Sequence, residues 1–174
     1  MSRPGAVTFK GTPLTLVGEA VQVGQAAPNF RMHRFADGAM QAVTLSDLRG
    51  KPTIISVVPS LDTGVCQQQT KHFNSQLGAL GDRVNAVTVS LDLPFAQNRF
   101  CGAENIANML TLSDYQERHF GQDWGMLIDE LKILARGVFV LDADGKVVYS
   151  ELVPEVTQEP NYDAAMAALQ GLLG

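Results

Sequence analysis

Apolar and polar positions follow two different periods along this chain, and the switches between them mark its elements. Residues 1–18 alternate weakly around Lys10-Gly11-Thr12-Pro13, with Val7 and Phe9 before the turn and Leu14 and Leu16 after it, which predicts a β-hairpin. Gly24 to Phe30 leads into a short strand, and Thr44 to Lys51 reads as a capped helical turn closed by Gly50. Thr53-Ile54-Ile55-Ser56-Val57-Val58 is a continuous, β-branched run, the mark of a core strand in a mostly parallel sheet. Over 64–80 the period changes. Cys66, Thr70, Phe73, Leu77 and Leu80 recur at steps of four, three, four and three, so they share the inward face of a helix. A second strand is predicted over 84–90, a helix from Pro94, and further turns and helix between 104 and 121. Gly137–Leu141 and Lys146–Tyr149 flank Asp142-Ala143-Asp144-Gly145, a hairpin signal with Asp-Gly at its centre. Tyr162, Met166, Leu169 and Leu173 place a last helix over 162–173.

A βαβα beginning followed by ββα is α/β patterning, and the order is that of the thioredoxin-like fold with an N-terminal β-hairpin as an extension. With 174 residues, 45% of them hydrophobic, the chain can bury one good core, and a single domain over 1–174 is expected. The net charge of −5 comes without any Lys/Arg cluster, which weighs against nucleic acid or an anionic membrane as partner. Residues 1–10 lack an apolar leader and no segment approaches the ~20 apolar residues of a membrane span, so a cytoplasmic location is expected. In that reducing compartment the two cysteines are either inert core residues or redox groups, and composition leaves both open.

Position is more informative. Pro59 stops the first core strand, Asp62-Thr63-Gly64 supplies loop and cap residues, and Cys66 then falls in the first helical turn. Free N–H groups and the positive end of the helix dipole stabilise an anion there, so the thiol is a candidate nucleophile. Thr63, three residues upstream, could offer its hydroxyl to the thiolate or serve only as N-cap. Pro59 reads most simply as a strand stop, with shielding of the thiol as the functional alternative. Arg136 follows apolar Ile133-Leu134-Ala135 and immediately precedes the apolar run 137–141, which makes it the best candidate cation. Taken by itself, that position suits a surface arginine. Cys101 lies 35 residues beyond Cys66, so the pair is no Cys-x-x-Cys dithiol, and a disulfide between them would join two helices by local unfolding. A buried inert thiol is its default reading. His33, His72 and His119 are scattered without metal-ligand spacing, and Asp142–Gly145 lacks the distal ligands of a calcium loop; no metal site is expected. Trp124 and the eight Phe residues read as core.

Pro59-x-x-x-Thr63-x-x-Cys66 resembles the signature of the peroxiredoxins. Pro-Ser-Leu-Asp-Thr-Gly-Val-Cys (59–66) and Asp-Leu-Pro-Phe-Ala-Gln-Asn-Arg-Phe-Cys (92–101) are similar to the two motifs of their thiol peroxidase branch, the atypical two-cysteine enzymes. The resemblance runs nearly end to end, including Ala27-Pro28-Asn29-Phe30 and Glu159-Pro160-Asn161-Tyr162. It implies a peroxiredoxin variant of the thioredoxin-like fold. Cys66 would be the peroxidatic cysteine, Thr63 and Arg136 its activating partners, Pro59 the shield, and Cys101 the resolving cysteine of the same chain. It further implies a Cys66 sulfenic acid, an intramolecular Cys66–Cys101 disulfide recycled by thioredoxin, a preference for organic hydroperoxides over hydrogen peroxide, no cofactor, and a homodimer. Lacking a Gly-Gly-Leu-Gly segment and a C-terminal Tyr-Phe helix, the chain is expected to resist over-oxidation. Two rivals remain. One is a general thiol–disulfide oxidoreductase, disfavoured without Cys-x-x-Cys; the other is a non-catalytic thioredoxin-fold binding or chaperone-like module.

Overall fold

In the computed structural model, which describes residues 1–174, the strands are β1 (Ser2–Phe9), β2 (Thr12–Val17), β3 (Arg31–Ala36), β4 (Ala39–Thr44), β5 (Thr53–Val57), β6 (Asn85–Ser90), β7 (Leu110–Ser113), β8 (Leu127–Ile128), β9 (Gly137–Leu141) and β10 (Val147–Leu152). The helices are α1 (Gly64–Leu77), α2 (Pro94–Glu104), α3 (His119–Asp123) and α4 (Tyr162–Gly171). Seven strands form the main sheet in the order β10-β9-β5-β6-β7-β3-β4, with β5, β6 and β7 parallel and the remaining pairs antiparallel. β1, β2 and β8 form a separate three-stranded sheet.

Every residue of β5 is buried, so the strand needs cover on both faces, and its alternate apolar residues find it. Ile54 packs with Val138 and Val140 against Phe73 and Leu77 of α1 and Met166 and Leu169 of α4. Ile55 and Val57 point the other way, into a larger cluster with Val87, Phe139, Phe120 and Trp124. Val7, Leu14 and Leu16 of the N-terminal hairpin belong to that same cluster, so the hairpin covers core rather than hanging from it. Its two-residue turn puts Lys10 (φ 50°) and Gly11 (φ 83°) in the left-handed region, the twist that suits adjacent antiparallel strands.

Several expectations need correction. The stretch between 104 and 121 is not mainly turns and helix. Asn105 ends α2 in a left-handed conformation, and Leu110-Thr111-Leu112-Ser113 then alternates as β7, filling the sheet between β6 and β3; helix is confined to His119–Asp123. The strand after Phe30 is the first arm of a second hairpin, β3–β4, turning at Asp37 (φ 53°) and Gly38 (φ 74°). α1 stops at Leu77 rather than near 80, and α4 at Gly171. Of the phenylalanines, Phe9 and Phe95 are not core: they are 40% and 56% exposed. No helix is long and apolar enough to cross a membrane.

β5 and β6 run parallel and end at the same edge of the sheet, where α1 and α2 begin. Both cysteine-bearing helices therefore start from the carboxyl ends of neighbouring strands, the usual place for a site in an open α/β sheet.

Candidate active site

Cys66 is the third residue of α1 and is fully buried. It sits with Val58 and Leu61, and Phe100 of α2 packs against this group. Thr63 occupies the N-cap position with extended backbone (φ −112°, ψ 149°), but no side chain caps the turn. Its hydroxyl donates to the Ser60 carbonyl at 3.0 Å and makes no bond to Cys66. The leading N–H groups of α1 are thus left without a side-chain acceptor and can receive an anion.

Arg136 is only 2% exposed, which rules out the surface reading that its position alone would favour. Each nitrogen of its fork has its own acceptor. Nε donates to the Val156 carbonyl at 2.9 Å, Nη1 to Gln69 Oε1 at 2.9 Å, and Nη2 lies 3.3 Å from Cys66 Sγ. A guanidinium can only donate, so the sulfur is the acceptor and the Gln69 oxygen must face Arg136. The Gln69 amide nitrogen then donates to Ser56 Oγ at 2.7 Å. No carboxylate neutralises Arg136: the ion pairs of the molecule are Lys71–Glu104, His119–Glu117 and Lys132–Asp129. Of the three acceptors that face this unpaired cation, Cys66 Sγ is the only nucleophile.

The Val156 carbonyl is itself held from the N-terminal hairpin. Val156 N–H donates to Thr8 O at 2.9 Å and Thr8 N–H to Pro154 O at 2.8 Å. Glu155 Oε1 accepts from Thr8 Oγ1 and from the Gly11 N–H, both at 2.9 Å, while Oε2 accepts from Thr157. Donation from Thr157, then Gly11, pulls the Glu155 carboxyl down to about 2.

Outside Arg136 opens a groove of about 420 Å³, walled by Phe9, Pro59, Val65, Leu131, Ile133 and Val156, with Thr63 also on its rim. Pro59 is buried and forms part of this wall. Cys66 lies behind this groove rather than on its wall, and a slightly larger depression of about 450 Å³, where β6 and β7 begin, lies away from Arg136.

Cys101 lies in the second half of α2, half-buried, with Sγ 3.7 Å from Thr111 Oγ1 on β7. Burial pushes its thiol up, partly opposed by Thr111 and by the charge of Arg34. Both cysteines are free thiols. The structure thus brings Cys66, Arg136 and Pro59 together, places Thr63 on the rim, and holds Cys101 on the adjacent helix. Gln69 and the Val156 carbonyl were missed from sequence. Gln69 carried a signal, being a polar residue one turn from Cys66 on the inward face, where a buried amide must find partners; a carbonyl acceptor leaves no trace in a side-chain pattern.

The redoxin family model matches residues 22–166. The thiol peroxidase of Bacillus subtilis (strain 168) is 51% identical over 167 residues, 96% of this chain and 98% of that protein. Among solved structures, a peroxiredoxin-like protein from Aquifex aeolicus superposes with a TM-score of 0.86 at 41% identity, over 97% of both chains. A thiol peroxidase from Chromobacterium violaceum, at 20% identity and TM-score 0.82 over 95% of both chains, shares the fold. With the redoxin match spanning most of its length and a thiol peroxidase identical at about half of the aligned positions, the chain belongs to the redoxin family, on the thiol peroxidase branch of the peroxiredoxins.

Proposed function

We propose that this chain works as one domain over 1–174 that reduces hydroperoxides through Cys66, with Cys101 as the resolving thiol and thioredoxin as the reductant. The observation that carries the reading is the buried Arg136 guanidinium, 3.3 Å from Cys66 Sγ, with no carboxylate to satisfy it. A guanidinium held by Gln69 and Val156 is preorganised to stabilise the thiolate and the charge that grows on the peroxide oxygens. The thiolate attacks one oxygen, the O–O bond breaks, and the departing alkoxide or hydroxide takes up a proton, leaving Cys66 as sulfenic acid. The Cys101 thiol then displaces water to form the disulfide, which a thioredoxin-type dithiol reduces by exchange.

The apolar walls of the groove support a preference for organic hydroperoxides, whose alkyl part gains from contact with Phe9, Leu131 and Ile133. Pro59 shields the thiol, and Thr63 on the rim can turn its hydroxyl to a bound peroxide. The same reading carries a cytoplasmic location and a homodimer, for which exposed Leu93 and Phe95 at the start of α2 offer an apolar face.

The test is stopped-flow Trp124 fluorescence of the reduced protein mixed with cumene hydroperoxide, with intact mass before and after. Wild type should lose about two mass units, and Cys101→Ser should gain about sixteen. No peroxide-dependent phase and no mass change in either protein would overturn the reading.

A further inference from the structure

Asp92, between β6 and α2, gathers donors from two directions. Its Oδ1 accepts from Ser60 Oγ at 2.7 Å, and its Oδ2 accepts from the Leu61 N–H at 2.8 Å and from Ser90 Oγ at 2.7 Å. Its own carbonyl accepts from Ser113 Oγ at 2.5 Å. Ser90 Oγ also accepts from Gln97 Nε2 at 3.0 Å, and Gln97 in turn donates to the Leu112 carbonyl at 2.9 Å. One carboxylate therefore ties the loop that leads into α1, the helix of Cys66, to the end of β6 and the loop that leads into α2, the helix of Cys101. No cation pairs with it. It is a fastener built from hydrogen bonds to a charged acceptor, the stronger kind.

The two thiols so fastened do not face one another. Cys66 lies in the Val58–Leu61 group, whereas Cys101 turns to Thr111 and packs against the core beneath α1 and α4. Phe100 packs against both clusters. A disulfide needs Cα atoms about 4.4–6.8 Å apart with converging Cβ atoms, so at least one of the two segments must leave its seat.

We propose that Asp92 is a positioning residue for disulfide formation: its carboxylate latches the Cys66 and Cys101 segments in the arrangement that meets peroxide, and the latch opens before the sulfurs join. This rests on the peroxidase reading above. The step it governs is balanced: Cys101 Sγ forms a bond to Cys66 Sγ, the S–O bond of the sulfenic acid breaks, and the thiol proton leaves with its hydroxyl as water. The hydroperoxide consumed earlier is the oxidant.

The experiment is stopped-flow oxidation of reduced wild type, Asp92→Ala and Ser60→Ala by cumene hydroperoxide, followed by intact mass. In wild type a first phase should rise linearly with peroxide and a second should be independent of it. The second phase should accelerate in Asp92→Ala by about tenfold, the factor that corresponds to one net hydrogen bond removed from the closed state. Ser60→Ala, which removes one of the three bonds to the carboxylate together with the local Asp62 N–H contact, should accelerate it less. Val147→Ala, a core truncation in β10 remote from both loops, controls for general loosening and should leave the second phase unaltered. A second phase unchanged or slowed in both latch variants, or accelerated equally by Val147→Ala, overturns the proposal. Absence of the first phase and of any mass change in wild type would instead overturn the peroxidase reading itself.

Discussion

Replacing Gln69 by leucine keeps nearly the volume of a fully buried side chain and removes its contacts to Arg136 and Ser56 and a longer one to the Val57 carbonyl. Arg136 Nη1 loses an acceptor at 2.9 Å, and Ser56 Oγ, also fully buried, loses a donor at 2.7 Å. A hydrogen bond from a charged donor contributes about 1.5–3 kcal/mol and an orphaned hydroxyl costs about 1 kcal/mol, so the loss is about 3 kcal/mol. Burial of the new methyl groups returns about 1 kcal/mol, leaving a net destabilisation of about 2 kcal/mol. The effect on chemistry is separate. Arg136 keeps its Val156 anchor, but its fork is no longer fixed at two points, so the Nη2 contact to Cys66 becomes one of several orientations. A positional loss worth about 1.4 kcal/mol slows attack about tenfold. Urea denaturation of the reduced protein measures the first quantity, and the second-order rate with cumene hydroperoxide in single turnover measures the second. An unaltered rate alongside the expected loss of stability would confine Gln69 to the fold. A rate and stability both equal to wild type would mean that Val156 alone seats Arg136, and would refute the reasoning.

Arg136→Lys should cut alkylation of Cys66 by iodoacetamide at pH 7 about tenfold, because one ammonium cannot meet Val156, Gln69 and Cys66 at once; an unchanged rate would move the activating charge elsewhere. Phe9→Ala should lower kcat/KM for cumene hydroperoxide about fivefold, from roughly 1 kcal/mol of lost apolar contact, and leave that for hydrogen peroxide nearly unchanged. Equal falls for both substrates would mean that the alkyl group lies outside the groove. Asp114, directly after β7, is buried, and burial pushes its carboxyl up to about 6 although it accepts from the Phe120 and Gly121 N–H groups of α3. Its folded value exceeds its unfolded one, so the native state binds the extra proton between about pH 4 and 6, and stability from this group falls as pH rises through that window. Relative to Asp114→Asn, wild type should lose about 2 kcal/mol of stability between pH 4 and 7.5, measured by urea unfolding at each pH; a constant difference would show that Asp114 titrates normally.

How much of this was legible in the sequence depended on where each partner lies along the chain. The strand–turn–helix that delivers Cys66 was readable because its period changes from a continuous run to steps of three and four within about ten residues. Arg136 could be singled out because an arginine between apolar runs is anomalous there, but its depth could not, since the groups that bury it come from Gln69 and Val156. β7 escaped because four residues are too few to establish a period. The β3–β4 hairpin escaped despite Asp37-Gly38, because the exposed residues of β4 give its run little apolar contrast. For Thr63 the position was right and the partner was not: its hydroxyl bonds the local Ser60 carbonyl. Asp92 reads in sequence as an ordinary loop aspartate; only folding brings Ser60 and Leu61 to it across more than thirty residues.

The hairpin strand that holds residues 154–156 links the order of synthesis to reactivity. Thr8 is made 147 positions before the Glu155 it bonds, and the Val156 whose carbonyl anchors Arg136 is itself bonded to Thr8. A growing chain displays Cys66 long before Arg136 exists, and Arg136 before its anchor exists. The thiol therefore acquires its cation only once Thr8 and residues 154–156 meet, so the reactive site assembles together with the fold that shelters it.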